Sequence, residues 1–356
     1  MLWGNSQRGA GAEAGAVRGQ CRRAALAALL AVVALLPAAA GAVTIEDPAQ
    51  GLVPLPAGTT GATELSGISR VEGERFLAVS DDAAALYSLA ITVDPGSGRI
   101  TRASLTGRTP LDRGKDLEGV AWGPDGSVYV SDEAGPAIRR HDPATGASRG
   151  SLPIPRAFTR ARRNLALEAL ALAADGRVLW SANEEALEGD GPTNLASGGQ
   201  GTRVRLQRWV SSRPGRWRAD GQWAYAVDGV QPFLGRGPSG VVALAVLPDG
   251  RPLVLERAAG VVALDGEPPA PRVAFRARIY AVDSVGATET SRLGRLDGSV
   301  RPVKKALLWE GLFAAANFEG MALGPALADG GRSLVLVSDD GGGLAQGLYA
   351  LRLRVP

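Results

Sequence analysis

Three glutamates, Glu118, Glu168 and Glu319, stand second in short apolar segments: Leu117-Glu118-Gly119-Val120, Leu167-Glu168-Ala169-Leu170 and Phe318-Glu319-Gly320-Met321. One hairpin further on, related segments end in more acids: Asp81-Asp82, Asp132-Glu133 and Asp339-Asp340. Carboxylates gathered at close range raise one another's pKa or recruit a cation. Donor sets made only of oxygen suit Ca²⁺, or Mg²⁺ with more water retained. Such an ion polarises an ester or phosphoryl oxygen and orients water, while a carboxylate of raised pKa acts as general base. The expected set is an ion held by Glu118, Glu168 and Glu319 with Asp81. Glu133 is then the base, with Asp132 beside it. Arg257, which aligns with Glu133 across the segments, is the partner of an anionic or ester substrate. Arg113 and Lys115 precede Glu118 and add positive charge. The plainer expectation is that acids after a strand cap turns and face water, and that Arg257 pairs with Glu256 or a neighbouring acid.

Other hydrolytic chemistries lack their parts. The chain has one histidine, His141, in Arg140-His141-Asp142-Pro143, which reads as a surface turn. A Ser-His-Asp triad would need that histidine beside a nucleophilic serine, and no Gly-x-Ser-x-Gly elbow occurs. One histidine and one cysteine cannot build a zinc site of the usual His and Cys ligands.

The elements that must position these acids are repeated hairpins. Leu65 to Asp82, Leu117 to Glu133, Leu167 to Glu184, Val241 to Arg257 and Phe318 to Asp340 share one form. Each is an apolar strand, a Gly-containing turn and a second strand rich in Val, Leu, Tyr or Trp. Asp-Gly between two such runs is a strong hairpin signal, because the turn needs positive φ. Pairing across two-residue turns sets Glu118 opposite Glu133, Glu168 opposite Asn183 and Ser66 opposite Asp81. Opening and closing acids therefore return to one edge. Further strand-like stretches follow each hairpin, so the unit recurs every ~50 to 78 residues, against about 40 to 50 for known propeller blades. The expected fold is an all-β propeller whose first strands line a central channel. Five hairpins are explicit, a sixth blade is expected between Thr202 and Gly240, and a seventh fits the length. Glu185 to Gly201 and Gly266 to Arg272 read as surface loops.

Residues 1–42 read as a secretory signal peptide: four arginines, an uncharged run from Ala24 to Leu36, and small residues at Ala40 and Ala42. Residues 43–356 then form a single domain. The full chain carries 39 basic and 36 acidic residues. Without the four arginines and one glutamate of the leader, the two signs balance. Near-neutrality argues against nucleic acid as a partner. Cys21 leaves with the leader, so the exported chain has no disulfide and depends on its core. No second long apolar run follows. The expectation is a monomer in the periplasm or outside the cell, without stable membrane insertion.

Taken in order, Leu65-Ser66-Gly67-Ile68, Asp116-Leu117-Glu118-Gly119-Val120, Val130-Ser131-Asp132-Glu133, Asn164 to Glu168-Ala169-Leu170, Leu255-Glu256-Arg257, Asn317-Phe318-Glu319-Gly320 and Val337-Ser338-Asp339-Asp340 resemble the phytase-like family, exported bacterial propellers labelled "esterase-like activity of phytase". The resemblance runs from about Leu65 to Leu353. Glu168-Ala169 departs from the usual Glu-Gly, and Asp339-Asp340-Gly-Gly-Gly from an Asp-Asn-Asn-Phe-like ending. The resemblance implies a hydrolase of phosphate or carboxylic esters. Two other classes fit the same residues: a non-catalytic ligand-binding propeller with a structural Ca²⁺, and a lactonase-like propeller whose ion is held by Glu, Asn and Asp.

Overall fold

In the computed structural model, residues 42–213, 215–230, 233, 237–265 and 270–356 are described. Alternating apolar residues and Gly-bearing turns fold them into antiparallel strands. These are β1 (Thr44–Glu46), β2 (Val53–Pro54), β3 (Leu65–Glu72), β4 (Arg75–Ser80), β5 (Ala85–Val93), β6 (Ile100–Pro110), β7 (Leu117–Trp122), β8 (Val128–Asp132), β9 (Ala137–His141), β10 (Ser148–Ser151), β11 (Leu167–Leu172), β12 (Val178–Asn183), β13 (Thr202–Arg213), β14 (Arg216–Val227), β15 (Ser239–Val246), β16 (Pro252–Asp265), β17 (Ala270–Asp283), β18 (Lys304–Phe313), β19 (Asn317–Ala326), β20 (Arg332–Asp339) and β21 (Gly347–Arg354).

The described residues form five sheets: β3 to β6, β7 to β10, β11 to β14, β15 to β18, and β19 to β21 completed by β1. The innermost strands β3, β7, β11, β15 and β19 each contact the next, and β19 contacts β3. The ring is thus a propeller of five blades. The expected sixth blade does not exist: β13 and β14 are the outer strands of blade 3, paired in sequence with β12. The repeat interval lengthens there because blades 3 and 4 carry strands of 12 and 14 residues and long connections at 184–201 and 284–303.

Apolar side chains fill each seam between blades. Leu77, Val79 and Leu86 meet Leu117, Val120 and Val128 between blades 1 and 2. Tyr129 and Ile138 meet Leu167, Leu179 and Trp209 in the next seam. Trp180 and Tyr225 meet Val241 and Val254, then Leu253 and Ile279 meet Phe318 and Leu334. Val335, Val337 and Leu348 close the ring on Leu65, Phe76 and Tyr87. This burial is the main favourable term for a chain of this kind.

Three expectations about loops change. His141 is buried, not a surface residue, and its Nδ1 lies 3.1 Å from the Gly146 carbonyl oxygen. The 185–201 segment is only partly a solvated loop: Glu188, Leu195 and Gln200 are exposed, but Glu185, Asp190 and Asn194 are buried, and Asp190 Oδ2 accepts from Arg205 Nε at 2.5 Å. Of the Pro-rich stretch, residues 266–269 lie outside the described residues, and Ala270 onward belongs to β17. The expected signal peptide, except Ala42, also lies outside them.

Candidate metal centre

Every inner strand opens with a bulge against its neighbour. The register breaks between Leu65 and Ile68, Leu117 and Val120, Leu167 and Ala169, Val241 and Ala243, and Phe318 and Gly320. A bulge leaves a residue unpaired and re-aims its side chain. The residues so released are Ser66, Glu118, Glu168, Val242 and Glu319, one per blade. Three of the five are glutamates.

The bulges also correct the expected pairing. Leu117, not Glu118, stands opposite the closing strand, at Asp132; likewise Leu167 faces Asn183 and Leu65 faces Ser80. The residue following each partner is Asp81, Glu133, Glu184, Arg257 or Asp339. Those five form a second ring around the first. The bulge therefore delivers Glu133 to the axis beside Glu118 even though the two are not ladder partners.

Carboxylate oxygens of Glu118, Glu133 and Glu168 lie within 4.8 Å of one another, all three side chains being buried. Glu133 also accepts from the Ala166 backbone N–H. Burial first, then the mutual repulsion of the acids, sets their ionisation. Glu118 is pushed well above the usual carboxylate range by desolvation and then by Glu133, Glu319 and Asp81. Glu168 is raised in the same way by desolvation, Glu118 and Glu184. Desolvation raises Glu133 to about 8. It raises Asp81 to about 7, helped by Glu64 and Asp339. Glu319 rises to about 7 by desolvation, although Arg257 pulls it down. These influences link neighbours all the way round the mouth.

The expected site residues divide into three groups. Glu118, Glu168 and Glu133 converge. Asp81 and Glu319 stand on the same rim but away from that triad: Asp81 Oδ1 is buried without a hydrogen-bond partner, and Glu319 pairs with Arg257 at 3.2 Å. Asp132 leaves the constellation, because its ladder position turns it toward β9, where Arg139 pairs with it. Arg257 is on the rim, with Nη2 3.2 Å from both Glu184 and Glu319. Glu256 does not pair with it and instead binds Lys305 at 2.6 Å and Tyr225 Oη at 2.7 Å. Asn183, the amide of the lactonase-like alternative, is spent within its blade: its Nδ2 donates to the Glu185 carbonyl and its Oδ1 accepts from Arg205 N.

Glu184 and Asp339 belong to the second ring; Asp339 is among the acids expected there, without a role, and Glu184 is missing from them. Their signal was present, since both occupy the repeat position of Glu133. Asn317 completes this side: its Nδ2 donates to Glu319 at 2.7 Å and Asp339 at 3.0 Å, and its Oδ1 is buried without a partner. All-oxygen donors, three of them mutually close and buried, fit a hard divalent cation such as Ca²⁺ or Mg²⁺. Beneath the glutamates the axis is nearly closed, with a void of about 10 Å³ bordered by Glu118, Val242 and Glu319.

A model of the phytase-like family, described as esterase-like activity of phytase, matches residues 60–342. No curated relative matches. Among solved structures, the PQQ-bound aldose sugar dehydrogenase of Streptomyces coelicolor is 18% identical over 90% of this chain and 100% of that chain, with a TM-score of 0.38. The periplasmic gluconolactonase of Pseudomonas aeruginosa is 13% identical over 88% of this chain and 99% of that one, with a TM-score of 0.36. At such values nothing about this chain's chemistry follows from either.

Proposed function

The chain belongs to the phytase-like family described as esterase-like activity of phytase, and from that premise we propose that its mouth is a metal-assisted ester hydrolase centre. The observation that carries this reading is the buried convergence of Glu118, Glu133 and Glu168. Three carboxylates this close, cut off from water, are strongly unfavourable as anions unless a cation joins them. These residues would hold the ion, Ca²⁺ or Mg²⁺, which when bound polarises a carboxylic or phosphate ester oxygen.

The chain's own groups do the rest. Burial pushes Asp81 up to about 7 and leaves its Oδ1 without a hydrogen-bond partner on the rim, which suits it to accept a proton from a water that enters there. In this reading it takes the role expected of Glu133, which instead joins the proposed ligands. Arg257 Nη2 is shared by Glu184 and Glu319 and its Nε is buried without a partner, so we read it as a counter-cation to those acids rather than as the partner of an anionic substrate. We also read the protein as exported and the substrate as a small molecule. Among the described residues no helix is long and apolar enough to cross a membrane.

Purified protein should hydrolyse p-nitrophenyl acetate, p-nitrophenyl phosphate or a lactone, lose that activity in EDTA and regain it with Ca²⁺ or Mg²⁺. Activity that survives EDTA with the metal demonstrably removed sinks the reading. A second reading, a non-catalytic ion riveting the inner strands, is favoured by the small void at the axis. It predicts no turnover on any of these substrates, with Ca²⁺ raising only the melting temperature.

A further inference from the structure

Position by position, the second ring holds Asp81, Glu133, Glu184, Arg257 and Asp339. Four blades supply a carboxylate there, and blade 4 supplies a guanidinium. Arg257 Nη2 donates to Glu184 Oε1 at 3.2 Å and lies 3.2 Å from Glu319 Oε1. The Asn317 amide ties Glu319 to Asp339 on the same side. Glu184 is also held in place by blade 4: a Cβ added to Gly240 would lie 2.5 Å from Glu184 Cγ and 2.8 Å from its carbonyl oxygen. Only glycine lets the two blades approach so closely here. Among the described residues no other lysine or arginine pairs with the ring acids. One side of the mouth therefore has three carboxylates facing one another, and the other has two carboxylates paired with a permanent cation and a third, Asp339, tied to them through Asn317.

We propose that Arg257 is a resident counter-cation standing where a second metal ion would otherwise bind, so that the mouth takes a single divalent ion, on the Glu118, Glu133 and Glu168 side. A guanidinium stays charged throughout the accessible pH range and carries its donors in a rigid fork. It therefore neutralises its half of the ring permanently, whereas the triad depends on an exchangeable ion. Without Arg257, Glu184 and Glu319, which share its Nη2, would be left uncompensated beside Asp339 and the unpartnered Oδ1 of Asn317, all-oxygen donors that an entering Ca²⁺ would have to draw together. Arg257 is thus a positioning residue that sets ion stoichiometry and does not contact substrate. The inference relies on the metal reading for the triad only.

Equilibrium dialysis against Ca²⁺ with elemental analysis tests it, using calcium per chain as the readout. The expected values are one equivalent for the native chain, one for Arg257→Lys and two for Arg257→Met. Adding Glu319→Gln to Arg257→Met should return the count to one. One equivalent in Arg257→Met, or two in the native chain, overturns the assignment and leaves the hydrolase reading standing. No calcium in the native chain but one equivalent in Arg257→Met defeats the triad as an ion site and keeps the assignment of Arg257. If Arg257→Met does not fold, Glu184→Gln combined with Glu319→Gln in the native background serves instead. That variant should keep one equivalent, because the triad itself is left intact, with an affinity shifted by the loss of the charges of Glu184 and Glu319 beside Glu168. Loss of the ion there overturns the inference.

Discussion

Glu118 and Glu168 carry opposite consequences with and without an ion. With it they are ligands, and Glu118→Gln or Glu168→Gln should weaken Ca²⁺ binding at least about 100-fold, beyond the 10- to 100-fold typical of outer-shell changes. Without it they are buried like charges, and the same amides should raise the melting temperature of the EDTA-treated protein. Calorimetry with titrated Ca²⁺ reads both effects, and an unchanged affinity in both variants removes these residues from the site. The pH dependence follows from the same physics. Glu133 rises from 4.5 to about 8, Glu319 from 4.5 to about 7 and Asp81 from 3.8 to about 7 in the folded chain. Between those limits the folded state binds more protons than the unfolded, so stability falls as pH rises. As far as these groups decide it, metal-free protein should therefore be most stable below about pH 4 and lose stability as pH rises to about 8. Ca²⁺ should stabilise far more at pH 8 than at pH 5, because it must displace protons at the lower value. An equal shift in melting temperature at the two pH values would contradict this. At this scale the residue types were legible in the sequence: five of the seven expected site residues lie on the rim as acids, and Arg257 makes a sixth. Asp132 was misplaced because adjacent residues on a strand point to opposite faces, and a one-residue error in register exchanges them.

The bulges that caused that error also explain why Gly follows the released residue in three blades. A Cβ on Gly119 would lie 2.5 Å from Leu170 Cβ and 2.8 Å from Leu170 N. On Gly320 it would lie 2.7 Å from the Ser66 carbonyl oxygen, and on Gly67 it would collide with the Glu118 carbonyl. Five inner strands around one axis leave no room for a side chain at those points. Blade 3 has Ala169 there and blade 4 Ala243, so the departure from Glu-Gly at Glu168-Ala169 is accommodated within the ring. Gly119→Ala should cost about 1–3 kcal/mol or more, the range for overpacking, while Ala169→Gly should cost about 1 kcal/mol or less from backbone entropy alone. Urea unfolding checks both, and equal costs would mean that the axis is looser than the backbone contacts indicate. The hairpins were legible because turn chemistry is local. The bulges were not, since they are required by the neighbouring blade, and neither was the blade count. β13 and β14 carry strand composition over twelve residues each, which in one dimension looks like a further hairpin blade.

The whole ring depends on a closure that joins the two ends of the described chain. β1 is the outermost strand of the last blade, with Thr44, Ile45 and Glu46 opposite Arg354, Leu353 and Arg352 of β21. β2 adds Val53 and Pro54 opposite Leu348 and Gly347. Between them, Asp47 Oδ2 accepts from Tyr349 Oη at 2.6 Å, and the Trp309 Nε1 of blade 4 lies 3.4 Å away. A closed ring fails as a unit when one seam opens, because four blades position the axial acids and blade 4 positions the Arg257 that pairs with them. Removing residues 43–46 deletes the outer strand and part of the apolar contact of Val43 and Ile45 with the seam between blades 4 and 5. Loss of about 2–3 kcal/mol, roughly two partly buried aliphatic side chains, should lower the melting temperature by about 4–12 °C for a chain of this size. Hydrogen exchange should then quicken first along β21 and change least in blade 2, on the other side of the ring from the lost strand. Calcium binding should weaken in parallel, since the rim residue Asp339 ends the strand paired with β21. A truncated chain that melts and binds as before would show that the closure strand merely decorates a ring already held by its five apolar seams.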